Sequence, residues 1–300
     1  MIYGVNNRKK TFKGVCIVAF VDFLGFSSEI KNKWNDLSDN PLDRLLSYVK
    51  SVNRNISQEL RRLAPSSSFS HTYNGCRIKT FSDSTIIMYG FDHDPNDTEL
   101  LIGILYVAKT ISSVWGKALQ SGFTVRGGIE YGDMYWGDDA IAGPSFVCAY
   151  EIESKYAETS RVMFGEKLKD KLKDALTNRH YDTNKHPRAF YANLVKRILH
   201  YLYYDIDGAI IISPHTLYHA EKGKSLLIEK LEAMQNSSGN MKAKIKYIPL
   251  LNILSSGYLC LSLVDLGIKR ELHFTRDSND KLIDDDATST TKHHLTGWKI

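Results

Sequence analysis

Two carboxylates stand where their surroundings suit metal chemistry. Asp22 closes an apolar run that begins at Val18, and Asp83 sits in a short polar break between Phe81 and Ser84. An aspartate offers a hard oxygen. Mg²⁺ or Mn²⁺ takes one or two such carboxylates and fills its shell with water and substrate phosphates. Two carboxylates facing one point suit a pair of divalent ions about 3.5–4 Å apart, which steady the attacking and leaving oxygens of a phosphoryl displacement. Directly after Asp22 come Phe23, Leu24, Gly25, Phe26 and Ser27, a turn into a helix start. Free N–H groups at a helix N-terminus hold phosphate oxygens. A metal and a phosphate thus fit side by side, and a nucleoside triphosphate is the natural third partner. Each residue alone has a plainer reading, Asp22 as a helix cap and Asp83 as a turn former. Taken together, in the topology that follows, the pair favours metal.

The elements that must position these residues follow from periodicity. Residues 13–24 predict a buried strand and 27–34 a helix start. Residues 42–63 repeat apolar side chains at helical spacing, with Asn40 as cap and Pro41 in the first turn. Residues 76–81 and 84–90 predict two strands joined by Ser82 and Asp83. A helix is expected over 97–119, capped by Asp97 or Thr98. Then come a strand over 123–131, a separate short strand around Met134, Tyr135 and Trp136, a helix over 143–156 opened by Gly143 and Pro144, a strand over 161–163 and a Lys-rich helix over 165–176. This order predicts an α+β fold with a mainly antiparallel, ferredoxin-like sheet and packed helices. There the first strand neighbours the hairpin, so Asp22 and Asp83 can meet. Beyond 177 the pattern weakens to a polar loop at 178–187, a helix over 188–200, a strand over 201–213 around Asp205 and Asp207, a helix over 217–235, a loop at 236–240, an amphipathic segment over 241–253 and one or two late strands.

Bulk properties set mild bounds. Of 300 residues, 43% are hydrophobic and 24% charged, as in ordinary globular proteins. The net charge of +5 suits an anionic small substrate without the dense basic stripe of a nucleic-acid binder, so no nucleic-acid partner is expected. Cys16, Cys76, Cys148 and Cys260 show no metal-type spacing. The start shows no leader pattern, and apolar runs such as 15–24 fall short of a bilayer span. The expectation is a cytoplasmic protein with no membrane partner.

Four stretches carry a family resemblance. Residues 20–27, Phe-Val-Asp-Phe-Leu-Gly-Phe-Ser, resemble the first metal motif of class III nucleotidyl cyclases, Asp-Ile-x-Gly-Phe-Thr. Residues 79–84, Lys-Thr-Phe-Ser-Asp-Ser, resemble the second, Lys-x-x-Gly-Asp, with Ser82 where Gly is usual. Residues 125–132 resemble the strand Arg-x-Gly-Ile-x-x-Gly, and 143–153 fall where the family carries Gly-x-x-Val-Asn-x-Ala-x-Arg-Leu. The stretches lie in order across residues 14–165. The departures also carry information. The family's catalytic Asn and Arg would fall on Val147 and Glu151, and a base-choosing residue of purine cyclases on Ala140, while Lys79 matches the other base-contacting position. The sequence is similar to the divergent bacterial pyrimidine cyclases of anti-phage Pycsar systems.

The resemblance implies a class III cyclase fold; together with the polar start and the weaker pattern beyond 177, it gives an expected N-terminal arm over 1–13, a cyclase domain over 14–235 and a C-terminal extension over 236–300 packed on the cyclase domain. It implies two ions of Mn²⁺ or Mg²⁺ per site, held by Asp22, Asp83 and the Phe23 carbonyl. Leu24, Gly25, Phe26 and Ser27 would cradle phosphate. Lys79 would read a base carbonyl or touch phosphate, its alternative being a solvated strand lysine. Arg126 is the candidate cation for the transition state, since Glu151 cannot serve, and its alternative is a surface ion pair. Tyr150 and Tyr48 could close in a pyrimidine, though a core role suits either. The implied product is cyclic UMP or cyclic CMP, with UTP ahead of CTP on family frequency. Homodimeric sites and a separate cyclic-nucleotide-responsive effector complete the expectation. An inactive nucleotide-binding or dimerisation module and a two-metal phosphohydrolase are the alternatives.

Overall fold

A computed structural model describes residues 11–52, 73–177, 188–218, 220–238, 241–256, 261, 274–276 and 282–284. Two strands of 13 residues form its spine, β1 (Phe12–Leu24) and β4 (Thr124–Trp136). They pair antiparallel along their whole length, from Phe12 opposite Trp136 to Leu24 opposite Thr124. On the other side of β1 lies β3 (Ser84–Phe91), and beyond it β2 (Tyr73–Phe81), each antiparallel to its neighbour. The sheet order β2-β3-β1-β4 has helices between β1 and β2 and between β3 and β4. That is the split arrangement of a ferredoxin-like α+β fold, as the sequence order predicts.

The sheet then continues. β6 (Val162–Phe164) runs parallel to β4, and the pair β8 (Ile210–Ile212) and β7 (Leu202–Tyr204) extends it further. The short β5 (Ile141–Ala142) pairs with the end of β4. Apart from these, β9 (Phe274–Arg276) and β10 (Leu282–Asp284) form their own two-stranded sheet.

Alternation along β1 divides the core. Ile17, Ala19, Val21 and Phe23 face the larger cluster, with Ile104, Ile111 and Trp115 of helix α3 (Asp97–Gln120). By length and composition α3 could span a bilayer, yet 72% of that window is buried inside the fold. Cys16 and Val18 face the other cluster, with Ile86, Met88, Met134, Trp136 and Ala149. Ala149 belongs to α4 (Pro144–Glu151), which lies across β1 and β4. Asp22 belongs to this second series, at the end of β1 beyond Phe20.

Helices α1 (Phe26–Lys33) and α2 (Pro41–Ser51) follow β1. The Leu42 N–H donates to the Asn40 side chain at 2.8 Å, the expected cap, while the expected continuation over 53–63 lies outside the described residues. The cap of α3 is Asn96, one residue earlier than expected, in a reciprocal box with Glu99. The two strands expected between 123 and 136 are one, because β1 offers an unbroken partner across Gly132.

The expected helix over 143–156 changes character after Glu151, where Ile152–Tyr156 forms a π-helical turn. The expected strand over 201–213 is instead the hairpin β7–β8. Its turn is held by Arg161, which donates to Asp205 at 2.9 Å and Asp207 at 2.5 Å. Later helices are α5 (Glu166–Thr177), α6 (Arg188–Tyr201), α7 (Glu221–Ser237), α8 (Met241–Ile245) and α9 (Ile248–Ser255). Helix α7 therefore runs into the expected loop at 236–240, and the amphipathic segment is two helices. Most of 1–13, all of 178–187 and most of the tail lie outside the described residues.

Candidate active site

Pairing register brings the two carboxylates together. Asp22 lies opposite Ser84 on β3 and opposite Arg126 on β4. The Ser84 hydroxyl donates to Asp22 Oδ1 at 2.8 Å, and Arg126 Nη2 stands 3.8 Å from Oδ2. Asp83 is the second residue of the two-residue turn between β2 and β3. Its carbonyl accepts a 3.3 Å hydrogen bond from the Phe23 N–H, which ties the turn to the backbone just beyond Asp22. Ser82, where the family motif has Gly, has a φ of 51°. That left-handed conformation suits glycine best and costs other residues about 1–2 kcal/mol.

The turn into α1 is local chemistry. Gly25 has a φ of 87°, and a Cβ there would meet nothing within 4 Å, so the conformation rather than space calls for glycine. Phe26 and Phe23 point into the core and stack about Phe123, their centroids 5.4 and 4.7 Å from it. This leaves the Phe23 backbone on the site side. Leu24 is buried and Ser27 exposed. Helix α1 begins without a side-chain cap; the Ser28 N–H donates to the Gly25 carbonyl at 3.1 Å, which leaves the N–H groups of Phe26 and Ser27 as those that could face an anion.

Lys79 shares the Asp22 face, in line with Ile86 and Phe20. Its Nζ donates to the Asp138 carbonyl at 2.9 Å and lies 5.0 Å from the Phe81 ring centroid. Tyr48 is wholly buried and shares a 2.7 Å hydrogen bond with the Thr85 hydroxyl, so it cannot close over a ligand. Tyr150 is half-exposed on α4 and meets Phe20 edge-on at 5.4 Å. Val147 is exposed on the same helix, and Glu151 is paired with Lys155 at 2.7 Å. Ala140 lies in the exposed turn before β5.

Sequence reasoning missed two contributors, Ser84 and Glu153. Glu153 lies in the π-helical turn, only 3% exposed, with Oε1 2.6 Å from Arg126 Nε. Neither atom completes a hydrogen bond, so the contact is an ion pair. The turn can lie this close because of Gly128, where a Cβ would come within 2.3 Å of the Ala149 carbonyl and 2.6 Å of Ile152 Cβ. A signal for Glu153 existed, since it stands four residues after the buried Ala149 on one helix face. Ser84 was hidden because cross-strand register is not written in local sequence.

The electrostatics are those of a carboxylate-rich pocket. Burial raises the Asp22 pKa; the Ser84 hydrogen bond and Arg126 pull against it, and the Asp83 charge adds to it. Burial also raises that of Glu153, against the pull of Arg126, and the charges of Asp22 and Asp83 push the same way. Three carboxylates thus stand against the Arg126 guanidinium and the more remote Lys246, an excess of negative charge that a divalent cation would offset. Among the described residues no three His, Cys, Asp or Glu side chains close around a metal position. The donor set fits an ion held by two carboxylates and completed by substrate and water. A cleft of about 420 Å³ lined by Arg44, Lys117 and Lys230 among others contains none of these residues.

No protein-family model matches the chain, and no curated protein matches it. Among solved structures it is similar to the adenylyl cyclase CyaB from P. aeruginosa, at 16% identity over 55% of this chain and 84% of that one, with a TM-score of 0.39. It is similar to the guanylyl cyclase Cya2 at 14% identity, over 55% of this chain and 81% of that one, with a TM-score of 0.36. A class III adenylyl cyclase-like ATP-binding protein from Pseudomonas aeruginosa matches at 11% identity and a TM-score of 0.38, over 54% of this chain and 35% of that one.

Proposed function

We propose that the chain is a metal-dependent nucleotide cyclase converting a pyrimidine nucleoside triphosphate, UTP ahead of CTP, into its 3′,5′-cyclic monophosphate and pyrophosphate. The observation that supports this reading is the backbone tie of the Asp83 turn to Phe23, next to Asp22 and beside the start of α1, with the two carboxylates within electrostatic range of each other. Two ions of Mg²⁺ or Mn²⁺, held by Asp22, Asp83 and the Phe23 carbonyl, would supply Lewis acidity at the ribose 3′-hydroxyl and charge neutralisation at the triphosphate. The 3′-oxygen forms a bond to the α-phosphorus, the bond to the β-phosphate oxygen breaks, and the hydroxyl proton leaves to solvent. Backbone N–H groups from Leu24 to Ser27 hold phosphate oxygens. Arg126 offsets charge that develops as pyrophosphate leaves. Lys79 exchanges the Asp138 carbonyl for a base carbonyl or a phosphate.

The exposed Val147, Tyr150 and Tyr156 offer an apolar face to a second copy, in keeping with the homodimer the sequence resemblance implies. The same resemblance supports a cytoplasmic enzyme of antiviral defence whose product acts on a separate effector. The core of the proposed domain covers 14–235, with 236–300 as its extension.

A second reading, an inactive nucleotide-binding or dimerisation module, draws on Val147 and Glu151, which cannot donate as Asn and Arg would. The test is to incubate the protein with ATP, GTP, CTP or UTP and Mn²⁺ and to identify products by mass. Cyclic UMP with pyrophosphate, abolished by Asp22→Ala and by Asp83→Ala, is expected. Cyclic CMP would move the substrate to CTP. No product from any nucleotide would favour the module, and inorganic phosphate alone a hydrolase.

A further inference from the structure

Arg126 is ion-paired with two carboxylates, closely with Glu153 at 2.6 Å and loosely with Asp22 at 3.8 Å. Residues directly opposite on antiparallel strands carry Cβ atoms about 4.5–5.5 Å apart, close enough for an Asp–Arg pair to close. Asp22 and Arg126 are such a pair, yet they stand 3.8 Å apart. Glu153 holds the guanidinium at 2.6 Å from the far side, its carboxylate almost out of solvent. The π-helical turn delivers Glu153 there, and the bare Cα of Gly128 makes room for that turn.

We propose that Glu153 is a positioning residue for the metal site, drawing Arg126 away from Asp22 and so keeping Oδ2 free to bind a divalent ion. This rests on the metal-binding reading of Asp22 and Asp83. Glu153 itself is not a ligand. Its carboxylate competes with Asp22 for one cation. With Glu153 neutral, Arg126 closes onto Asp22 and occupies the oxygen a metal needs. Lys246 lies within electrostatic range of Glu153 and Arg126, and its carbonyl accepts from the Ser160 N–H at 3.1 Å. Its charge acts on Glu153 more weakly than that of the abutting guanidinium.

The experiment is a double-mutant cycle on Mn²⁺ binding, read by calorimetry and by electron paramagnetic resonance of free Mn²⁺ with no nucleotide present. Outer-sphere changes typically cost 10–100-fold in metal affinity, and Glu153→Gln is expected to weaken Mn²⁺ binding by at least about tenfold. Losing a negative charge near a cation would do some of this by itself, so the second arm decides. In the Glu153→Gln background, Arg126→Gln should restore most of the affinity, a several-fold larger gain than the same substitution gives in the wild-type background. Equal effects of Arg126→Gln in both backgrounds would overturn the proposal, as would a Glu153→Gln protein that binds Mn²⁺ like wild type. Melting curves for all four proteins identify any variant that has lost its fold, and Glu153→Asp, which keeps the charge, then serves in its place and should bind more tightly than Glu153→Gln. A wild-type protein that binds no Mn²⁺ overturns the underlying metal reading instead.

Discussion

At the scale of single residues, the site is built from groups placed against their own preference. Asp22 is partly withdrawn from water, with the Ser84 hydroxyl at 2.8 Å and the Arg126 guanidinium at 3.8 Å as partners for its charge. Its folded pKa is raised above the unfolded value. A carboxyl of that kind stabilises the fold at pH below the unfolded pKa and loses that contribution as pH rises through the folded one. Asn at this position carries no charge and keeps an oxygen for Ser84. Metal-free Asp22→Asn protein should therefore melt higher than wild type at pH 8, with the gap closing towards pH 4, in thermal denaturation followed by circular dichroism. A gap that fails to narrow on acidification would show that Asp22 is not strained by its ionisation. Asp22 and Asp83 were legible in sequence because each interrupts a contrasting run. Glu153 was not, because its importance comes from a partner on another element.

At the scale of elements, close approach decides more than propensity. Helical periodicity over 143–156 is real, but it does not reveal that the last turn widens so that Glu153 reaches Arg126. Gly128 sits beneath this crossing. Gly128→Ala would drive a methyl group into the Ala149 carbonyl, and the fold should lose about 1–3 kcal/mol, typical of overpacking. Urea denaturation measures this, and a wild-type midpoint would mean that the crossing is looser than the 2.3 Å approach implies. The start of α3 teaches the opposite lesson. Asn96 and Glu99 form a capping box at the right spacing, and the neighbouring Asp97 and Thr98, themselves cap formers, sit inside the first turn. The join of two expected strands into β4 depended on the length of β1, which no window inside 124–136 contains.

At the scale of the molecule, the weakly patterned second half is continuous with the first. β7 and β8 extend the same sheet, and Leu231, Leu250 and Leu254 belong to the core cluster that contains Trp115. Three-residue strands carry too little alternation to be read from sequence, which is why the pattern weakens beyond 177. Leu254→Ala should cost about 2–5 kcal/mol, as for other buried leucines, and should shift one cooperative transition rather than split it. Two separate transitions in calorimetry would mark residues beyond 235 as a unit that unfolds by itself.

β1 is bonded along both edges, to β3 from Cys16 to Asp22 and to β4 from Phe12 to Leu24. Amide hydrogens in such a strand exchange with solvent only when the surrounding sheet opens. Asp22 thus rides on a strand that should exchange slowly, and any movement the proposed reaction requires is left to its surroundings, the Ser82–Asp83 turn and the exposed side of α1.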